Sequence, residues 1–189
     1  MVNIADKRKM SGEIKKFDKV EHALWDTKGK NSMIDFLNKG LTKKNLKAIE
    51  NPNEHGVDVL VLNSDDVVVS AFEVEVRYGN WKGDTTFPFR EINCIERKEY
   101  IWRREKEFFD KIPFKCGTHL KVYYAQLNDL CNRVVLIEGY KVLQYEQKHW
   151  RNRKSNNEYV RQVPIEECVQ YKMFEPENIN QNQAHNTLD

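Results

Sequence analysis

The segment 67–77, VVVSAFEVEVR, joins an apolar run to a strict alternation of valine with charged residues. Successive side chains of an extended strand point to opposite faces, so Glu73, Glu75 and Arg77 share one face while the two intervening valines share the other. This pattern predicts a buried strand whose valine face packs beneath a helix. The opposite face then places two carboxylates in a part of the chain that is otherwise apolar.

A second apolar segment, 57–62, precedes this strand, and the tetrapeptide Asn-Ser-Asp-Asp between them has the composition of a turn. We therefore predict an antiparallel hairpin of strands 57–62 and 67–78. A turn centred in the middle of the tetrapeptide places Asp58 opposite Ala71 and diagonal to Glu73. Three acidic side chains, at positions 58, 73 and 75, are then expected to converge near the middle of a sheet.

The remaining segments predict a single α/β domain over residues 1–174. Apolar residues at helical spacing dominate the first third, and apolar runs typical of strands follow. This order favours a mixed sheet of four or five strands flanked by helices. The tail 175–189 lacks core-forming side chains and is expected to be disordered. The predicted helices cover 11–24, 33–40, 42–50 and 97–111, and the further strands cover 89–95, 120–127, 133–143 and, as an edge strand, 159–164.

Composition excludes several classes of protein. The chain has 31 Lys+Arg and 29 Asp+Glu residues, so its net charge of +2 does not by itself indicate nucleic-acid binding. The four cysteines lie far apart and match neither the spacing of a zinc site nor a disulfide framework. The start MVNIADKRKM carries no apolar run, and no segment reaches the roughly 20 residues of a membrane span. We expect a cytoplasmic protein without a signal peptide or membrane anchor.

The acidic residues of the hairpin are the strongest candidates for a functional site. The apolar character of both strands predicts that Asp58, Glu73 and Glu75 are buried, where unpaired carboxylates are costly. Neighbouring carboxylates repel one another unless a cation lies between them. Oxygen ligands of this kind suit Mg²⁺ or Mn²⁺ and suit zinc poorly. The sequence therefore predicts a magnesium or manganese site.

This arrangement resembles the core of the PD-(D/E)XK nuclease superfamily. The likeness consists of Asp58, a gap of 14 residues and the tripeptide EVE at 73–75 on the second strand, all preceded by an amphipathic helix. Val57 stands where proline is expected, and Glu75 stands where lysine is expected, an ExE variant also found among restriction enzymes. A different alignment makes the tripeptide EVR at 75–77 the (D/E)XK triplet, with arginine in place of lysine.

The resemblance implies a restriction-endonuclease-like fold and a Mg²⁺-dependent endonuclease. Asp58 and Glu73 would bind the metal ion, and Glu75 would orient the attacking water or accept its proton. In many members a glutamate on the first helix completes the metal site; Glu21 is the first choice here and Glu13 the second. The residues that could supply the missing positive charge are Arg77, Lys82, Arg97 and Lys98.

The resemblance also implies double-stranded DNA as the substrate and a homodimer that brings two active sites to the two strands. Lysine and arginine side chains would contact phosphates and release counterions. Two alternatives remain open, namely a catalytically inactive nucleic-acid-binding module on the same fold and an α/β interaction protein whose acids are surface charges. The predicted nucleic-acid contacts are Trp81, Lys82, Arg97, Lys98, Lys148, Arg151, Arg153 and Lys154.

Overall fold

The structure is a computed structural model that describes residues 19–41, 44–150 and 158–174. Its described residues form an α/β arrangement with a larger mixed sheet and a smaller antiparallel sheet. The helices are α1 (Lys19–Leu41), α2 (Glu99–Trp102), α3 (Lys106–Asp110) and α4 (Gly139–Val142), with 3₁₀ turns at Glu96–Lys98 and Ile165–Glu167. The strands are β1 (Lys47–Glu50), β2 (Val59–Leu62), β3 (Val68–Val76), β4 (Glu91–Ile95), β5 (Cys116–Leu127), β6 (Arg133–Glu138), β7 (Gln147–Trp150), β8 (Glu158–Pro164) and β9 (Val169–Lys172).

The larger sheet, as far as the chain is described, has six strands in the order β1-β2-β3-β5-β6-β9. Strands β3 and β5 are parallel, and the other neighbours are antiparallel. The smaller sheet has the order β4-β8-β7 and is antiparallel throughout. The predicted α/β class with a mixed sheet is confirmed. The larger sheet exceeds the predicted four or five strands because β1 and β9 extend its two edges.

Helix α1 packs on one face of the larger sheet, over the valine side of β3. A Cβ added to the buried Gly29 would lie 2.6 Å from Cγ2 of Val76 and 3.5 Å from Cγ1 of Val74. The absence of a side chain therefore permits this close approach of helix and strand. Met33, one turn later, is fully buried in the same core. The predicted packing of a helix on the valine face is confirmed.

The first turns of α1 depart from the predicted apolar stripe. Val20 and Leu24 are 71% and 67% exposed, respectively, instead of packing on the sheet. Trp25, the next residue, is half-buried, and its ring stacks on that of Tyr78, just after β3, at 5.3 Å between centroids. The predicted helices 11–24 and 33–40 are one continuous helix where they are described, and residues 11–18 lie outside the described residues.

Residues 47–50 form strand β1 instead of the predicted third helix. The side chain of Asn38 on α1 accepts a hydrogen bond from the N–H of Ala48 (2.8 Å) and donates one to the carbonyl of Ala48 (3.1 Å). On its other side, β1 pairs with β2 along its whole length. These tertiary hydrogen bonds override the helical spacing of Leu46 and Ile49.

Three further elements differ from their predicted form. The predicted helix 97–111 is interrupted at Arg104, whose φ is 50°, and becomes α2 and α3. The predicted strand 133–143 ends at Glu138 and continues as α4. The predicted edge strand 159–164 is β8, which lies between β4 and β7 in the centre of the smaller sheet. Strand β9 has no counterpart among the predicted strands.

The β2–β3 hairpin is confirmed, but its register differs from the predicted one. The side chain of Asn63 closes the loop by accepting hydrogen bonds from two backbone N–H groups of residues 65 and 67. A bulge on β3 then shifts the pairing by one more residue, so that Leu60 pairs with Ala71. Asp58 therefore lies further along β3 than a symmetric turn predicts, and it is not opposite Ala71.

The other face of the larger sheet packs against the smaller sheet and the short helices. Its core includes Trp81, Ile92, Trp102 and Phe108, all buried. All four cysteines are free thiols. Within the described ranges, no helix is both long enough and apolar enough to cross a membrane. The predicted tail 175–189 lies outside the described residues.

Candidate active site

Strands β2 and β3 bring Asp58 and Glu73 side by side. The N–H of Asp58 donates to the carbonyl of Phe72 (3.0 Å), and Oδ2 of Asp58 accepts a hydrogen bond from the N–H of Val74 (2.7 Å). Asp58 is thus fixed between the two residues that flank Glu73. Glu73 is buried, with an exposed fraction of 6%. The altered register therefore brings the two carboxylates closer together than the predicted diagonal.

Lys98 supplies a positive charge to Glu73. It ends the 3₁₀ turn Glu96–Lys98, which directly follows β4 of the smaller sheet. Its ammonium group donates a hydrogen bond to Oε1 of Glu73. Burial lowers the pKa of Lys98, but the charge of Glu73 and this hydrogen bond outweigh burial and raise the pKa above its ordinary value. Lys98 therefore keeps its proton at neutral pH, and its hydrogen bond joins the 3₁₀ turn to β3.

The second oxygen of Glu73 has no partner among the residues that the structure describes. Oε2 is buried and forms no hydrogen bond with any described residue. Burial and, after it, the charge of Asp58 together raise the pKa of Glu73 to about 8, although Lys98 acts in the opposite direction. Buried polar atoms in folded proteins are nearly always hydrogen-bonded, so an exception requires a reason. A proton or a cation would satisfy this oxygen.

Asp58 shares the perturbed electrostatics of Glu73. Burial raises the pKa of Asp58 to about 6, and the charge of Asp26 on α1 acts in the same direction, whereas Lys98 and Lys30 lower it. Nζ of Lys30 lies 3.1 Å from Oδ2 of Asp26 and 2.8 Å from Oε1 of Glu50 on β1. Helix α1 therefore contributes one carboxylate and one ammonium group to the field at Asp58.

Glu75 lies on the same face of β3 in a different environment. Its Oε1 accepts a hydrogen bond from Nη1 of Arg77 (3.2 Å), and its Oε2 accepts one from the hydroxyl of Tyr124. The amide of Gln126 donates to the Tyr124 hydroxyl oxygen (2.9 Å), and its carbonyl accepts from Nε of Arg77 (3.1 Å). Both oxygens of Glu75 are thus satisfied by the protein itself.

The donor set at Glu73 consists of two carboxylates. Where the chain is described, no group of three or more His, Cys, Asp or Glu side chains is arranged to hold a metal ion. Mg²⁺ usually binds only one or two protein carboxylates and completes its coordination with waters and substrate phosphates. Asp58 and Glu73 fit such an ion, because its charge would offset their repulsion and engage the unpartnered Oε2 of Glu73.

No protein-family model matches the chain, and a search of the curated proteins finds no match. The resemblance to the PD-(D/E)XK superfamily therefore rests on the residues of the hairpin. The geometry around Glu73 is an observation independent of that resemblance.

Helix α1 carries Glu21 and also a second acid, Asp26, whose charge acts on Asp58. Glu21, predicted to complete the metal site, lies on α1 and is half-buried. The α1 carboxylate whose charge raises the pKa of Asp58 is that of Asp26, five residues later. Asp26 is therefore the stronger candidate for the helix carboxylate, and Glu13 lies outside the described residues.

Trp81 belongs to the core and not to a surface. Its side chain is 1% exposed, its Nε1 donates to the carbonyl of Thr85 (3.0 Å), and its ring meets Phe87 edge to face. A buried indole cannot reach a substrate, so the structure argues against the predicted nucleic-acid contact at Trp81. The neighbouring Lys82 is exposed, with Nζ 3.5 Å from Oδ2 of Asp129.

The predicted basic contacts fall into three groups. Lys98 is turned toward Glu73, as described above. Arg97 on the same turn and Lys148 on β7 are exposed. The remaining residues of the basic tract, which lie outside the described residues, are Arg151, Arg153 and Lys154.

Sequence reasoning missed four residues around the site. Tyr124 and Gln126 occupy alternate positions on β5, which is parallel to β3, and pair in register with Glu73 and Glu75. Two polar residues at this spacing in an apolar strand are a signal that they share a face with other polar groups. The other two, Asp26 and Lys30, are a pair four residues apart on α1, which the sequence does not distinguish from a surface ion pair.

Proposed function

We propose that the protein is a divalent-metal-dependent DNA endonuclease with a restriction-endonuclease-like core, related to the PD-(D/E)XK superfamily. The observation that carries the proposal is the state of Glu73. Its buried carboxylate lies beside Asp58, binds Lys98 through one oxygen and leaves the other oxygen without a partner. Buried ionisable groups with shifted pKa values and specific charged neighbours are typical of functional sites.

Asp58 and Glu73 hold Mg²⁺ or Mn²⁺ in this proposal. When bound, the ion polarises the phosphodiester and promotes ionisation of the attacking water. Lys98 provides a fixed positive charge beside these carboxylates, where it can stabilise the negative charge that develops on the scissile phosphate. Lys98 thereby takes the role of the lysine that the EVE tripeptide lacks, although it comes from the 3₁₀ turn after β4 and not from β3.

Glu75 acts as a positioning residue in this proposal. Its two oxygens already accept hydrogen bonds from Arg77 and Tyr124, and these bonds stabilise the ionised carboxylate and make it a weaker base toward water. Glu75 instead fixes the guanidinium of Arg77 on the face of β3 that carries Glu73. The contacts of Glu75 and Arg77 favour the alignment in which Asp58 and Glu73 are the metal ligands over the alternative EVR triplet.

Double-stranded DNA is the proposed substrate, and exposed basic side chains such as Lys82, Arg97 and Lys148 are proposed to contact its phosphates. A homodimer would bring one site to each strand. The four free thiols support a reducing compartment, and we propose a cytoplasmic location.

One observation favours a second candidate function, a nucleic-acid-binding module that does not hydrolyse its ligand. The ammonium group of Lys98 already neutralises Glu73, so the site has a cation of its own. In such a module the ion pair between β3 and the 3₁₀ turn would be purely structural. The two candidates differ in one respect that can be measured, namely whether DNA is cut when a divalent metal ion is present.

The test is incubation of the full chain with supercoiled plasmid in Mg²⁺, in Mn²⁺ and in EDTA. The endonuclease predicts conversion to nicked or linear DNA in at least one of the metal ions and no conversion in EDTA. The Glu73→Gln variant, which keeps the shape of the side chain and an acceptor for Lys98, should show no conversion.

The matched control is Glu96→Gln, which changes an exposed glutamate two residues before Lys98 that accepts a hydrogen bond from Gln147. It should cut as the wild type does. Salt-dependent plasmid binding without conversion in either metal ion would support the binding module and reject the endonuclease. Equal cutting by the wild type and Glu73→Gln would reject the site.

A further inference from the structure

A cleft of about 310 Å³ lies next to the site, between the end of β3 and the β4–β8 pair of the smaller sheet. Its volume is at the lower end of the range typical of small-molecule sites. The cleft shares Arg77 with the hydrogen-bond network of Glu75. The residues that define this Arg77–Arg90 cleft are Arg77, Asn80, Phe89, Arg90, Asn93 and Gln162.

Two guanidinium groups give the cleft an affinity for anions. Arg77 is largely held by Glu75 and Gln126, whereas Arg90 is exposed and its side chain forms no ion pair or hydrogen bond with the residues that the structure describes. An arginine with free donors suits a phosphate group, which accepts two parallel hydrogen bonds from the guanidinium plane. Glu91 also lines the cleft, and its charge disfavours a highly charged anion.

Two amides on neighbouring strands add groups that can distinguish ligands. Asn93 on β4 and Gln162 on β8 are directly paired across the smaller sheet, and Nε2 of Gln162 donates to Oδ1 of Asn93 (3.3 Å). This bond leaves the NH₂ group of Asn93 and the carbonyl oxygen of Gln162 unpaired among the described residues. A donor beside an acceptor matches the edge of a nucleobase, as in the amide contacts that read adenine.

Phe89 supplies an aromatic surface at the same place. Its side chain is 40% exposed, and its ring meets Phe87 edge to face at 5.4 Å between centroids. Unstacked bases in protein complexes commonly stack on aromatic side chains, whereas bases within a duplex cannot. A phosphate site, a base edge and a stacking surface within one small cleft together match one nucleotide.

We propose that the Arg77–Arg90 cleft binds a single unstacked nucleotide of the substrate strand, with its phosphate at Arg90 and its base between Phe89 and the Asn93–Gln162 pair. The inference rests on the proposed function for the identity of the substrate as DNA. Arg77 lies four residues after Glu73, which is about 13 Å along an extended strand, so the bound nucleotide is a near neighbour of the scissile phosphate.

The test is calorimetric titration of the full chain in EDTA with each of the four deoxynucleoside 5′-monophosphates and with inorganic phosphate. We expect saturable millimolar or tighter binding of at least one nucleotide, and weaker binding of inorganic phosphate. Arg90→Gln should weaken nucleotide binding at least tenfold. Asn93→Ala should reduce the differences among the four nucleotides, because it removes a donor that faces the base.

One variant serves as the matched control for this titration. Arg103→Gln removes an exposed guanidinium that pairs with Glu99 outside the cleft, and it should bind nucleotides as the wild type does. Absence of saturable binding at millimolar nucleotide, or unchanged affinity in Arg90→Gln, would overturn the inference.

The outcome is distinguishable from that of the plasmid assay. Arg90-dependent nucleotide binding by a chain that never cuts plasmid would retain the cleft and reject the endonuclease. Cutting that requires Glu73, combined with nucleotide affinity that does not depend on Arg90, would retain the endonuclease and reject the cleft.

Discussion

Glu73 and Glu75 are the same amino acid on the same face of the same strand, yet their surroundings differ. Glu73 is buried, one of its oxygens has no partner in the described part of the chain, and burial and the charge of Asp58 raise its pKa to about 8. The side chain of Glu75 is 36% exposed, and both its oxygens accept hydrogen bonds. Two identical carboxylates can thus have different functions because their environments differ. We assign Glu73 to the metal ion and Glu75 to positioning.

The difference arises from neighbours that lie far away along the chain. Glu75 is satisfied by β5, whose Gln126 pairs with it in register and whose Tyr124 donates to it. Glu73 instead meets Asp58, which directly precedes β2, and Lys98 from the 3₁₀ turn after β4, and these provide one charge of each sign. One positive charge, Lys98, faces the two carboxylates of Glu73 and Asp58, so their negative charge is only partly compensated without a further cation. At Glu75, both carboxylate oxygens accept hydrogen bonds.

The largest expected effect is the difference in plasmid cleavage rate between the Glu73 and Glu75 variants. Glu73→Gln should reduce the rate at least about 10³-fold, because it removes the charge of a metal ligand. Glu75→Gln should reduce it only about tenfold, as for a residue that orients others. Rates at saturating Mg²⁺ measure the contrast. Equal losses in the two variants would remove the distinction between them.

Loss of Lys98 should have the next largest effect. Lys98→Ala should lower the cleavage rate about 100-fold, because it removes a positive charge preorganised near the phosphate. Lys98→Arg should recover part of the loss, since it restores the charge with a different shape. Arg97→Ala, on the same turn and exposed, is the matched control. If Lys98→Ala and Arg97→Ala behave alike, Lys98 has no special role.

Metal-free stability should depend on pH through Glu73 and Asp58. Burial raises their folded-state pKa values to about 8 and about 6 from ordinary values of 4.5 and 3.8. The folded chain therefore retains protons that the unfolded chain releases, and stability falls as pH rises from about 4 to about 8. Each retained proton contributes a slope of about 1.4 kcal/mol per pH unit. Urea unfolding in EDTA measures this slope.

The Glu73→Gln variant sharpens that experiment. It should remove the part of the slope between pH 6 and 8, where Asp58 is already ionised in both states. Glu75→Gln should leave the slope in place. A wild-type stability that stays level or rises across this interval would show that Glu73 does not hold its proton more tightly in the folded chain.

The smallest expected effect belongs to the Glu75 network. Tyr124→Phe removes the donor to Oε2 of Glu75 and should lower the free energy of unfolding by about 1–2 kcal/mol. Cleavage should stay within about tenfold of wild type. Tyr123→Phe is the control, because the Tyr123 side chain lies on the other face and stacks on Phe72. If Tyr124→Phe stays folded but loses much more than tenfold in cleavage, Glu75 has a direct role in the reaction.

The alternation in VVVSAFEVEVR was sufficient to predict which side chains of β3 share a face. Period-two geometry holds for any extended strand, and Gly29 of α1 meets Val74 and Val76 as that geometry requires. The hairpin was also predictable from its turn composition. The register was not, because it depends on how the side chain of Asn63 closes the loop and on a bulge that has no sequence signature.

Other features were beyond local pattern because tertiary contacts decide them. The pairing of Lys98 with Glu73 joins residues 25 positions apart, one in a 3₁₀ turn and one in a strand. Residues 47–50 form a strand because Asn38 and β2 hydrogen-bond to them. Trp81 is buried because the loop after β3 folds inward, although its composition resembles that of an exposed loop. Local propensity gives no weight to any of these contacts.

The most direct test of the assignment is calorimetric titration of Mn²⁺ into the full chain at pH 8, with Glu73→Gln and Glu75→Gln measured beside the wild type. If Glu73 binds the metal ion, the wild type should bind Mn²⁺ saturably, Glu73→Gln should lose at least about tenfold in affinity, and Glu75→Gln should bind with nearly unchanged affinity. Absence of binding by the wild type, or equal affinity in all three proteins, would show that Glu73 is not a metal ligand.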